Sequence, residues 1–139
     1  MIDNAPQKSP LLKKALMSNA VFSAVSGTAM ALAAPWLSER MGIPEGMILR
    51  LIGISLLGFA VALFLNAKRA ETDRKQAWVA VGLDFAWVIG SVALVSLQIL
   101  TVFGNWAVAA VADLVLLLAL AQALGLHRTA SHSVEVNNP

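Results

Sequence analysis

The chain has 139 residues, 58% of them hydrophobic and 13% charged, with a formal charge of +2 and no cysteine. Soluble domains carry about 25% charged residues, so this composition excludes an ordinary soluble domain, and the length leaves no room for a second one. The missing cysteines exclude disulfides, thiolate nucleophiles and thiolate metal sites. The basic residues stand beside apolar runs, which reads as membrane topology rather than nucleic-acid binding.

Residues 1–14 read as a polar tail holding Pro6 and Pro10 and closing on Lys13 and Lys14. The first apolar run covers residues 16–37 and ends at Pro35 and Trp36, a helix stop beside an interfacial aromatic. A short turn with Pro44 leads to a second run, residues 47–67, which contains Arg50 and is closed by Lys68 and Arg69. The charged loop AETDRKQ precedes a third run, residues 77–97, with Asp84 inside it. Gly104 and Asn105 mark the next turn, and the fourth run, residues 106–126, stops at His127 and Arg128. Residues 129–139 are polar and expected to be disordered.

Each run is about 20 residues long, enough to span the roughly 30 Å hydrocarbon core as a helix. Alternating ten-residue strands, the mark of a membrane barrel, are missing. The expectation is therefore an all-α fold, a transmembrane four-helix bundle. Lys13-Lys14, the apolar stretch and Ala31-Leu32-Ala33 imitate a secretory signal, but the stretch is too long and Pro35 follows the would-be cleavage point too closely. Lys8, Lys13, Lys14, Lys68, Arg69, Arg74, Lys75 and Arg128 fall at one end of the expected bundle. Both termini are therefore expected in the cytoplasm. Trp36 and Trp106 read as anchors at the outer interface and Trp78 at the inner one. Trp87 is too deep for a belt, which leaves packing or, less naturally, the wall of a ligand cavity.

Lipid gives no hydrophobic drive between helices, so small residues and interhelical hydrogen bonds must specify their packing. The first helix offers Asn19, Ser23, Ser26 and Gly27 near one face. The second offers Gly46, Gly53 and Ala60 at a spacing of seven, and the third Asp84, Ser91 and Gln98 at the same spacing.

Two groups of polar residues go beyond packing. Arg50 and Asp113 both enter from the outer side, and a lone charge at depth costs at least about 2.5–3.5 kcal/mol, so they form a candidate ion pair; the alternative is that Arg50 snorkels to the headgroups while Asp113 faces an aqueous cleft or is protonated. Asp84 lies about 10 Å below the start of its run with no basic residue at its level. Asn19, Ser91 and Gln122 are its candidate partners in an intramembrane polar site. Gln122 is nine residues from Asp113, half a turn out of phase, so the fourth helix cannot aim both inward, and the alternative for Gln122 is to reach the cytoplasmic interface. Two readings of Asp84 stand: a neutral carboxyl that hydrogen-bonds helices together, and a site for a proton or a cation.

No HExxH, GxSxG or phosphate-binding glycine loop is present, and no catalytic residue, metal site or cofactor is expected. The stretches Asn19–Gly27, Pro35-Trp36-Leu37, Leu49–Gly53 and Asp84–Ser91 together resemble a group of small bacterial four-helix integral membrane proteins of unassigned function. That resemblance implies residence in the bacterial inner membrane and no mechanism. Small multidrug-resistance exporters also have four short helices, but they work around a glutamate in the first helix, which here has no carboxylate. The functional expectation is a structural or accessory subunit without enzymatic activity; the alternative is a small homo-oligomeric transporter or proton pathway using Asp84. Expected partners are membrane lipid and either further copies of the chain or a larger membrane complex, with no nucleic acid.

Overall fold

A backbone in lipid must satisfy its own hydrogen bonds, so each apolar run closes into a helix. The computed structural model describes residues 10–135 and is all-helical: α1 (Pro10–Leu32), α2 (Ala34–Met41), α3 (Gly46–Lys68), α4 (Arg74–Ser96) and α5 (Val102–Glu135). Four of these, all but α2, are long and apolar enough to cross a membrane.

The boundaries differ from the expected ones in three places. First, α1 begins at Pro10 rather than after Lys14, because proline is tolerated in a first helical turn; the expected tail is otherwise outside the described residues. Second, the run at 16–37 is broken at Ala33. Pro35 has no N–H and its ring collides with a preceding carbonyl in a continuous helix, so it sits instead in the first turn of the separate α2. That short helix ends at Gly42, in the left-handed region at φ 75°, whose N–H donates to Ser38 O. Third, α5 starts at Val102 and continues to Glu135, through both the expected turn at Gly104-Asn105 and most of the expected disordered tail. Gly104 serves close packing instead: a Cβ there would lie 2.8 Å from Met41 O. Beyond Arg128 no glycine or proline interrupts the helix before Pro139.

Side chains tie the two ends of the bundle. At one end, Thr101 Oγ1 donates to Arg40 O at 2.6 Å and Thr101 N to Met41 O at 3.0 Å, while the same hydroxyl accepts from Gly104 N at the start of α5. At the other, Asn66 brackets Asp73 by accepting from its N–H at 2.8 Å and donating to its carbonyl at 3.1 Å. Asp73 in turn caps α4 by accepting from the N–H groups of Lys75 and Gln76. Lys13 reaches Arg69 O at 2.8 Å at this same, basic end.

α1 is the centre of the arrangement, packed on α3 and on α5; α4 leans on α5, and α3 hardly touches α4. Apolar clusters close the two ends. Leu12, Leu16, Leu63, Val81 and Leu126 fill the basic end, and Ala34, Met41 and Leu49 the opposite one. Between them the gap separating α3 from α4 stays open.

The α1–α3 contact is made by facing glycines. A Cβ on Gly27 would stand 2.7 Å from Gly53 O, and one on Gly53 would stand 2.6 Å from Gly27 O. Both obstacles are backbone, so a side chain here must push the helices apart. Gly53→Val is expected to cost about 1–3 kcal/mol by overpacking in a mixed-micelle unfolding titration. Gly58→Val on the same helix, where an added Cβ meets nothing within 4 Å, should stay within about 0.5 kcal/mol of the parent. Equal losses at the two positions would refute the facing-glycine contact.

Candidate functional site

Helical spacing aims three polar residues at one point. On α1 the buried positions include Leu12, Leu16, Asn19, Ser23 and Gly27, steps of three or four that form one face. On α4 they include Ala77, Ala80, Val81 and Asp84. On α5, Ala112, Val115, Ala119, Gln122 and Leu126 repeat the same steps. The apolar members of each row bury the polar one with them.

At that point Asn19 Nδ2 donates to Asp84 Oδ2 at 2.6 Å, and Gln122 Nε2 donates to the same oxygen at 3.0 Å. Ser23 Oγ donates to Asn19 Oδ1 at 3.2 Å and extends the chain of bonds along α1. The three central side chains are 1% (Asn19), 5% (Asp84) and 0% (Gln122) exposed. Asp84 is ten residues into α4, about 15 Å along a helix of about 34 Å, close to its middle.

The two carboxyl oxygens are unequal. Oδ2 carries both amide bonds, while Oδ1 accepts none among the described residues. Unlike the occluded, unpaired Trp87 Nε1 and Gln122 Oε1, Oδ1 keeps accessible surface. Asp84 lines a cleft of about 400 Å³ between the helices, together with Phe22, Ser23, Phe59 and Trp87. A second section of about 740 Å³ runs on toward Pro44 and Leu100. The sections share Met30, Ile52, Leu83 and Trp87 and so make one continuous cleft, walled by α3 on one side and α4 on the other.

The sequence-derived site is thus divided. Asn19, Asp84 and Gln122 are bonded together. Ser91 is buried on the same face of α4 but lies two turns away, about 10 Å, where it lines the second section. Gln98 lies beyond α4 in the turn, at φ 51°, and is no part of a seam. The proposed Arg50–Asp113 pair is not formed: both side chains are exposed, and Arg69–Asp73 at 3.5 Å is the ion pair that the described acidic and basic side chains make. The phase of α5 explains the loss, since burying Gln122 turns Asp113 outward. Phe22 and Phe59 were not singled out from the sequence, because an apolar aromatic in a membrane run carries no mark of its own. Phe22, one turn from Asn19 and Ser26 on α1, had its position as the only available signal.

Comparison with protein-family models, with characterised proteins and with solved structures gives no match.

Proposed function

We infer that this chain is a multi-pass membrane protein that binds a membrane-soluble small molecule in the cleft between α3 and α4, with Asp84 as its polar anchor. The observation that carries this reading is the free Oδ1 of Asp84 in an open cleft. A carboxyl serving helix packing alone would have both oxygens engaged or sealed. The cleft sections, about 400 and 740 Å³, match the 300–1,000 Å³ range of small-molecule sites. Because α3 and α4 hardly touch, entry is sideways from the bilayer. In this reading the basic end faces the cytoplasm, as its lysines and arginines direct, and the membrane is the bacterial inner one.

The test is whether acyl chains reach the cleft. A variant keeping Trp87 as its sole tryptophan, with Trp36, Trp78 and Trp106 changed to Phe, is reconstituted with lipids brominated at mid-chain. Trp87 fluorescence should be strongly quenched, and Leu83→Trp, which crowds the mouth of the cleft, should reduce access by a competing apolar dye. Unquenched Trp87 would mean a closed seam and return the chain to a purely structural role.

We further infer that the working unit is a homo-oligomer. Arg50 and Asp113 are exposed on helices that span the membrane, and Asp113 is about 16 Å along α5. A charge left against lipid at such depth costs at least about 2.5–3.5 kcal/mol, which pairing with the opposite charge of a second copy relieves. Mass measurements in nanodiscs should give a dimer or larger closed assembly. Arg50→Leu or Asp113→Leu should shift it toward monomer, and the exchanged pair Arg50→Asp with Asp113→Arg should restore it. A monomeric parent protein would contradict the pairing between copies.

A further inference from the structure

We propose that the occupant of the cleft is a lipophilic organic cation, an ammonium-type or phosphonium-type centre carried on an apolar body. This rests on the cleft being a binding site and names its ligand class. Two features of the lining select the charge. Among the described residues, Asp84 is the only ionisable side chain on either section, with no lysine, arginine or histidine beside it. Both hydrogen bonds of the carboxyl come from amide side chains and fall on Oδ2, which leaves Oδ1 to face a ligand. A cationic ligand would hold the carboxyl ionised in this low-dielectric site, the lining supplies no positive group of its own, and Oδ1 is the side on which a positive centre fits.

The walls select the body. Phe22, Phe59 and Trp87 surround the Asp84 section, and aromatic faces attract cations through the ring quadrupole. Apart from Asn19, Ser23, Ser26 and Ser55, the remaining lining is aliphatic or thioether, Met30, Leu56 and Val115 among it. A small hydrated ion such as sodium would need several oxygen ligands converging on it, whereas the oxygens of this section, on Asp84, Asn19, Ser23, Ser26 and Ser55, are spread over three helices along an otherwise apolar wall. A lipophilic cation needs one counter-charge, aromatic faces and a route through lipid, and the cleft has all three.

The experiment uses full-length protein in nanodiscs and three probes of one shape: tetraphenylphosphonium as the cation, tetraphenylborate as the anion and triphenylphosphine oxide as a neutral hydrogen-bond acceptor. Equilibrium dialysis should show saturable binding of the cation alone. Asp84→Asn should weaken it about tenfold or more, the loss of about 1.4 kcal/mol or more, while the variant elutes as the parent does. Trp87→Leu, which leaves the carboxyl untouched, should weaken it about threefold through the lost ring face. Equal binding to parent and Asp84→Asn protein would overturn the proposal. So would preference for the phosphine oxide, which would make the carboxyl a donor to a neutral ligand. If no probe binds but brominated lipid still quenches Trp87, the cation is wrong and the open cleft stands. If quenching fails as well, the cleft reading falls first.

Discussion

The structure depends on one carboxyl oxygen held by two amides from neighbouring helices. Asp84 Oδ2 joins α4 to α1 through Asn19 and to α5 through Gln122. In water such bonds compete with solvent; in hydrocarbon there is no solvent to replace them. Even so, interhelical hydrogen bonds in membranes contribute only about 0.6 kcal/mol on average and about 1.7 at most. A charged side chain at the centre of a bilayer costs at least about 2.5–3.5 kcal/mol. At the average value two such bonds offset only part of that cost, and in the proposed reading a cationic ligand supplies the rest.

The rest of the fold makes room for that site. Facing Gly27 and Gly53 bring α1 and α3 into backbone contact, and Gly125, where a Cβ would lie 2.9 Å from Leu12 Cα, does the same for α1 and α5. Tight packing on these two sides of α1 leaves slack on the third, where α3 and α4 diverge. The divergence is bounded at both ends, by the Thr101 bonds to Arg40 and Met41 and by the Asn66–Asp73 bracket. The cleft is thus an opening between fastened ends rather than a frayed edge.

Much of this was legible in the amino-acid order, and the remainder was hidden for physical reasons. Run length and hydropathy identify the four long helices, because a spanning backbone has few alternatives. Asn19, Asp84 and Gln122 stand out because polar groups in apolar runs are rare, and helical phase sets Gln122 opposite Asp113. That same phase relation, followed through, would have removed the Arg50–Asp113 pair within one chain; the cost of lone charges had outweighed it. The break at Ala33 is hidden in the sequence because Pro35, which marks a helix end, equally permits a new first turn. Gly104-Asn105 looked like a turn because glycine's use in close packing leaves the same trace as its use in a bend. Which helices would be neighbours depended on several glycine contacts acting together, and no single spacing encodes that. The cleft, being the space left over, has no sequence pattern at all.

The most direct test of the account is a double-mutant cycle between Asn19 and Asp84, read as unfolding free energy in mixed micelles for Asn19→Ala, Asp84→Ala and the double variant. The hydrogen-bonded centre predicts non-additive losses, with a coupling of about 0.5–1.7 kcal/mol. Losses that simply add would mean that the two side chains do not hold one another, and the account of Asp84 as an anchored carboxyl with one oxygen free would be contradicted.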